Sequence, residues 1–196
     1  MVELKNILFD LIQLTDSEWN ILSKKLVRKD FESKSIIIRE GSIADSIYFI
    51  EKGLLRTYYL LNGKEINTYF ACDRQFITSY SSFIAQTPSL EYLETIENSI
   101  VYSISFSTMT GLYNVSSKFE KLGRIMAEEN YLCVIDRTRK MQTLTAKQKY
   151  LDFIDSYDKM IVQRVPQYQI ASYLGITPES LSRVRKQITL SYQMSM

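Results

Sequence analysis

The chain has 196 residues, 45% of them apolar, with no histidine, a net charge of +2 and no run of 18 uncharged apolar residues, which sets aside a membrane span and leaves room for one ordinary domain and a small one. Lacking histidine, it lacks the commonest metal ligand and the commonest general base, so neither a metal, a cofactor nor a catalytic residue is expected. The small net charge hides an asymmetry: residues 1–136 carry 14 Lys/Arg against 18 Asp/Glu, and residues 137–196 carry 10 against 4.

The first residues, Met-Val-Glu-Leu-Lys-Asn, lack the basic-then-apolar order of a signal peptide. Thr15-Asp-Ser-Glu18 is a capping box that opens a short helix with Trp19, Leu22 and Leu26 on one face. From about Phe31 to Ser107 the pattern turns to short β-type runs at 35–39, 47–51, 54–61, 66–71 and 100–105. Glu40-Gly41, Lys52-Gly53 and Asn62-Gly63 punctuate them, the last a type I′ hairpin signal. Many short strands at this spacing read as a sandwich, barrel or jelly roll. Cys72 and Cys133 stand far apart, as in a reduced, cytoplasmic protein.

From about Ser116 the period becomes helical. Phe119, Leu122, Ile125, Met126, Leu132, Cys133 and Ile135 give more apolar surface than one narrow stripe. The spacing predicts a long helix that meets a second copy of the chain, the plainer alternative being an amphipathic helix lying on the β domain. Residues 143–149 form the expected hinge to a further helix around 150–157. The division read from these patterns is a β-roll sensor domain with an N-terminal helix over 1–115, a dimerisation helix over 116–142, and a DNA-binding domain over 143–196.

Residues 167–186 spell out a helix-turn-helix. Ile170, Ala171 and Leu174 share one face of the first helix, and Ala171 is small where a second helix crosses. Gly175 supplies a turn with positive φ. Thr177 is the N-cap and Pro178 the first residue of the second helix, whose inward residues Leu181 and Val184 close the core with Ile176. Tyr168, Gln169, Thr177, Pro178, Glu179, Ser182, Arg183, Arg185 and Lys186 are the residues expected at double-stranded DNA. An ordinary αα-hairpin with a solvated basic face is the bland alternative; the small residue, the glycine, the capped proline and the basic face together favour DNA.

The order β-roll, long helix, helix-turn-helix resembles the Crp/Fnr family of bacterial transcription regulators over essentially the whole chain. Arg39-Glu40-Gly41, Asp45-Ser46-Ile47-Tyr48-Phe49-Ile50-Glu51-Lys52-Gly53 and Arg56 carry the resemblance in the roll, and residues 170–183 carry it in the helix-turn-helix. The resemblance implies an α+β fold: a jelly roll of cyclic-nucleotide-binding type, a dimer helix and a reading helix. It further implies a cytoplasmic homodimer that acts with RNA polymerase, and a Glu179, Ser182, Arg183 set like that with which the oxygen-sensing branch reads a TGA core.

Two departures limit what carries over. Members that bind cyclic AMP hold its phosphate with a Gly-Glu-Leu turn and an Arg; here Thr78-Ser79-Tyr80 stands after Phe76-Ile77, and residues 75–117 contain no Lys or Arg. A phosphate buried without a cation is disfavoured by several kcal/mol, so a cyclic nucleotide is not the expected effector. The candidate lining for a different small-molecule effector is Tyr69, Phe76, Thr78, Ser79, Tyr80, Phe83 and Tyr92, with plain core as the alternative. Second, residues 187–196 are too few for the β-hairpin wing that often follows the reading helix, so the wing is expected to be truncated or absent. A cupin-type metalloenzyme would need a histidine cluster; the stronger rival is a sensing or protein-interaction module that no longer binds DNA tightly.

Overall fold

Helix α1 (Val2–Ile12) buries Leu4, Leu8 and Ile12 at four-residue spacing, and α2 (Asp16–Ser23) follows it. Thr15 opens α2 as the capping box requires: its hydroxyl accepts from the Glu18 N–H, and Glu18 returns a bond to the Thr15 N–H. The sequence gives α1 no such announcement, because Met1 caps it without a side-chain bond. The computed structural model describes residues 1–193.

The strands are β1 (Val27–Phe31), β2 (Ile36–Ile38), β3 (Ser46–Lys52), β4 (Leu54–Leu61), β5 (Lys64–Cys72), β6 (Phe76–Ile77), β7 (Tyr92–Thr95) and β8 (Ser99–Ser105). They form two four-stranded sheets in the orders β1-β8-β3-β6 and β2-β7-β4-β5, every pairing antiparallel. Most neighbours in this order are distant in sequence, as in a jelly roll. The five runs read from the sequence fall in β2, β3, β4, β5 and β8. β4 and β5 meet through a two-residue loop, with φ 52° at Asn62 and 75° at Gly63, the type I′ turn that the dipeptide signals. β1, β6 and β7 were not foreseen. β1 is mostly exposed and charged, β6 has two residues, and β7 carries Glu94 opposite Arg56 of β4.

Helix α3 (Tyr80–Ala85) bridges β6 and β7, and α4 (Phe106–Tyr113) leads into α5 (Ser117–Thr143), which has 27 residues. The chain breaks at Leu144, inside the expected hinge, because Thr145 and Gln148 form a second capping box that starts α6 (Ala146–Ser156). This helix begins four residues earlier than the expected 150–157. Helices α7 (Lys159–Arg164), α8 (Gln167–Tyr173) and α9 (Pro178–Gln193) complete the described chain. Residues 187–193 prolong α9 and no strand follows it among the described residues; residues 194–196, also part of the stretch considered for a wing, lie outside them.

One core joins α1, α2, the roll interior, Met109 and Leu112 of α4, and Phe119, Leu122 and Met126 of α5. This corrects the expectation for the long helix. Those three residues are buried in their own protomer, since α1 and α4 pack on the first half of α5. Ile125 and Cys133 are half-buried. Leu132 and Ile135 are 63% and 49% exposed, together with Tyr131 and Val134. At 100° per residue these four lie on an arc opposite Phe119, Leu122 and Met126, so the surplus apolar surface belongs to the second half of the helix.

A second core gathers Tyr150, Phe153, Ile161, Val165, Ile170, Ala171, Leu174, Leu181 and Val184, and extends into the roll through Leu54, Phe70 and Cys72. Helix α8 lies against β5. There the Ser172 hydroxyl donates to the Glu65 carbonyl at 2.7 Å and accepts from the Asn67 N–H at 3.1 Å. Apolar burial and backbone-directed hydrogen bonds thus hold the C-terminal helices on the roll.

Candidate nucleic-acid interface and effector pocket

In the helix-turn-helix, Ile170 and Ala171 are fully covered, so a larger residue at 171 would push α9 off α8. Gly175 turns the chain at φ 64°, and the Thr177 hydroxyl accepts from the Ser180 N–H at 3.2 Å at the start of α9. Leu181 and Val184 point inward. The opposite face presents Thr177, Pro178, Glu179, Ser182, Arg183, Arg185 and Lys186, all exposed. Glu179 and Arg183 are one turn apart. The Glu179 carboxylate is held below its ordinary pKa by its own backbone N–H, then by the Thr177 hydroxyl and Arg183. The pair is able to meet base edges: Arg suits the acceptors of guanine, and Glu the amino group of cytosine.

Tyr168 is 57% exposed and Gln169 only 4%. Gln169 therefore departs from the set expected at DNA. It sits under α8 against β5, where Asn67 Nδ2 donates to its carbonyl at 3.5 Å and its own Nε2 donates to the Tyr168 hydroxyl at 3.2 Å. Periodicity could have found this, because position 169 adjoins the inward residue 170.

The seven residues considered for an effector pocket do not line one cavity. Tyr80 and Phe83 line an apolar cavity of about 240 Å³ between α3, α4 and α5. Tyr69 faces a different one between β5, α5 and the C-terminal helices. Phe76 packs on Phe49 with ring centroids 5.1 Å apart, and Tyr92 stacks on Tyr58 at 5.1 Å. Thr78 is buried and donates to the Ser46 carbonyl at 2.8 Å. Ser79 is buried and accepts from the Ser89 hydroxyl at 2.9 Å. Tyr69, Phe76 and Tyr92 stand on three different strands, Thr78 and Ser79 follow β6, and Tyr80 and Phe83 belong to α3, a separation that residue type alone does not reveal.

What the roll holds instead is an acid, Glu91, whose carboxylate is mostly buried. Glu91 accepts from the Thr68 hydroxyl at 2.9 Å, and Thr68 in turn shares a 2.7 Å hydrogen bond with Thr57. Burial raises the Glu91 pKa, and the hydroxyls of Thr68, Ser79 and Thr57 and the charge of Arg137 oppose that rise. Arg56, also buried, is spent within the sheet: it pairs with Glu65 at 2.6 Å and Glu94 at 2.5 Å, donates to Asn67 Oδ1 at 3.0 Å and lies 4.2 Å from the Tyr58 ring centre. Burial works against its charge, but the bonds to Glu65 and Glu94 outweigh it and raise its pKa. Among the described residues no group of His, Cys, Asp and Glu is placed to hold a metal, and no helix is long and apolar enough to cross a membrane.

Residues 28–115 match the cyclic nucleotide-binding domain. No curated protein matches the chain significantly in sequence. Among solved structures, FixK2 from Bradyrhizobium japonicum superposes with a TM-score of 0.74 at 17% identity, over 85% of each chain. A regulator from Eubacterium rectale assigned to the crp/fnr family gives 0.70 at 16% identity, over 91% of this chain and 85% of that one. CLP from Xanthomonas campestris, a c-di-GMP responsive global regulator, gives 0.69 at 15% identity, over 90% and 93%. Residues 28–115 are therefore similar to the cyclic nucleotide-binding domain, and the chain has the α+β fold seen in solved Crp/Fnr regulators.

Proposed function

We propose that the chain is a sequence-specific DNA-binding transcription regulator that works as a cytoplasmic homodimer, with residues 1–115 as sensor, 116–142 as dimer helix and 143–196 as reader. One observation carries this reading: the outer face of α9 is polar, basic and exposed from Thr177 to Lys186, while its inner face is locked by Leu181 and Val184. A helix so held is a rigid reading head of the kind that enters a major groove. The second half of α5 supplies the surface for a two-fold partner, which would set two heads about one helical turn apart. RNA polymerase is the expected further partner of such a regulator. The chemistry requires no enzyme activity.

The effector is not a cyclic nucleotide in this reading. Where the family's sheet would meet a phosphate, this roll buries the Glu91 carboxylate among hydroxyls, and residues 75–117 offer no cation. The docking of α8 on β5, which covers Gln169, favours a second reading, that of a sensing module with weak DNA binding. A mobility-shift titration at several salt concentrations, on duplexes selected from a random pool, separates the two. The regulator should enrich an inverted repeat with a TGA-type half-site and prefer it at least a thousandfold over random duplex. Equal, salt-sensitive binding to all duplexes would sink the first reading.

A further inference from the structure

Between β5, the second half of α5 and the helices α6 and α8 lies a cavity of about 270 Å³. Its position is informative, because all three parts of the chain contribute walls to it. Phe70, Phe153, Tyr157 and Tyr173 make the walls aromatic, with ring centroids 4.6 to 5.8 Å apart. The Tyr157 hydroxyl donates to the Tyr173 hydroxyl at 2.7 Å, so both rings are fixed.

Arg137 reaches into the same cavity. Its guanidinium stands 4.8 Å from the Tyr173 ring centre, and Nη2 donates to the carbonyls of Asn67 at 3.0 Å and Tyr173 at 3.3 Å. Its Nε–H is buried with no acceptor, and Arg137 has no ion-pair partner among the described residues. A buried donor left unmatched costs free energy, and a carboxylate is the group that suits an arginine best. Of the other charges on the lining, Lys140 is neutralised by Asp136 at 2.5 Å and Asp152 at 2.7 Å. Asp158 accepts from the Met160 N–H at the start of α7. Lys149 forms no ion pair among the described residues and is a second cation at the rim.

We infer that this interdomain cavity binds a small planar aromatic carboxylic acid, its ring against the aromatic wall formed by Phe70, Phe153, Tyr157 and Tyr173 and its carboxylate on Arg137. An apolar cavity of about 150 Å³ holds benzene, so about 270 Å³ accommodates roughly two fused rings. Such a ligand touches the roll, the long helix and α8 at once, and so fixes the angle at which α9 is presented. The inference adds to the DNA-binding reading, and its test uses no DNA, so either can fail alone.

The probe is 2-naphthoate, titrated by calorimetry into the full chain. The expected result is one site per protomer, binding at least tenfold weaker for the uncharged 2-naphthalenemethanol, and a tenfold or greater loss in Arg137→Gln. Because Arg137 also ties α5 to β5 and α8, a second variant guards against misfolding: Ser156→Trp places an indole at the edge of the cavity from an exposed position and should abolish binding in a folded protein. Absence of binding at millimolar 2-naphthoate, equal affinity for the alcohol, or binding that survives Ser156→Trp would each overturn the assignment.

Discussion

Ile135→Glu should dissociate the dimer. Tyr131, Leu132, Val134 and Ile135 are 49 to 63% exposed in the protomer, and full burial of such a side chain stabilises by about 1.5–3 kcal/mol. Covering what remains open is thus worth about 1–1.5 kcal/mol each, or roughly 8–12 kcal/mol for the eight side chains of a two-fold pair. That lies within the roughly 4–15 kcal/mol that association costs in lost freedom, so the proposed dimer would rest on this patch plus whatever adjoins it and would tolerate little damage. Ile135→Glu would remove the gain twice and bury two carboxylates near the axis; at about 1–2 kcal/mol of desolvation each, the total is about 4–7 kcal/mol. The dissociation constant should rise about a thousandfold or more. Sedimentation equilibrium at micromolar concentration reads this directly. Leu90→Glu, more exposed at 70% and in the turn before β7, is the control and should leave the dimer intact. A wild-type protein that sediments only as the 22.9 kDa species, or an Ile135→Glu variant that remains dimeric, would refute the reasoning.

Arg183→Ala should cost about 1–3 kcal/mol on the preferred duplex and relax preference at one guanine, whereas Lys186→Ala should weaken all duplexes alike and lower the salt slope by about one unit; equal losses on random and selected duplexes for Arg183→Ala would return that residue to phosphate. Cyclic AMP and cyclic GMP should give no heat in a calorimetric titration, and a micromolar constant for either would reverse the reading of the roll. Glu18 accepts from Ser116 at 2.7 Å, from the Thr15 N–H at 2.8 Å and from Lys118 at 2.9 Å, and these bonds lower its pKa from 4.5 to about 2. A lowered carboxylate stabilises the fold above its unfolded pKa and loses that contribution as pH falls through the folded value, so urea unfolding should show a component lost between pH 4.5 and 2 that Glu18→Gln lacks. Arg56→Met should cost about 3–5 kcal/mol by leaving Glu94 buried without its partner, and adding Glu94→Gln should recover part of it in the same assay.

Local chemistry made some of this legible in sequence. The capping box at Thr15 uses a side chain three residues away, and Asn62-Gly63 states its own turn. Ile170, Ala171, Leu181 and Val184 are apolar at helical spacing and are buried as that spacing requires. Non-local pairing hid the rest. β7 carries a glutamate because Arg56 lies opposite, and Arg56 is 38 residues away. Phe119, Leu122 and Met126 look the same in sequence as Leu132 and Ile135, yet α1 and α4 cover the first three and leave the others open. An effector pocket depends on which elements the fold brings together, and the seven plausible residues stand on three strands, on α3 and on the segment between β6 and α3.

The angle between α9 and α5 decides whether two reading heads fit successive grooves. In this fold that angle is held by the apolar core that reaches Leu54, Phe70 and Cys72, by the ion pairs of Arg164 with Glu97 and Lys140 with Asp152, and by a set of bonds between β5, α5 and α8. Ser172 bonds to Glu65 and Asn67, Arg137 bonds to Asn67 and Tyr173, and a small aromatic cluster joins Phe70 to Phe153 through Tyr173. Each neutral hydrogen bond is worth about 0.5–1.5 kcal/mol net, and those of a charged group about 1.5–3. The polar tether therefore totals several kcal/mol, close to the roughly 5.5 kcal/mol that separates a 1:99 population from 99:1. A ligand that binds one arrangement at the Arg137 cavity about ten-thousandfold more tightly than the other supplies free energy of the same size. Because the tether and the ligand would compete for or reinforce the same arginine, effector binding at this junction can change DNA affinity without rearranging the roll.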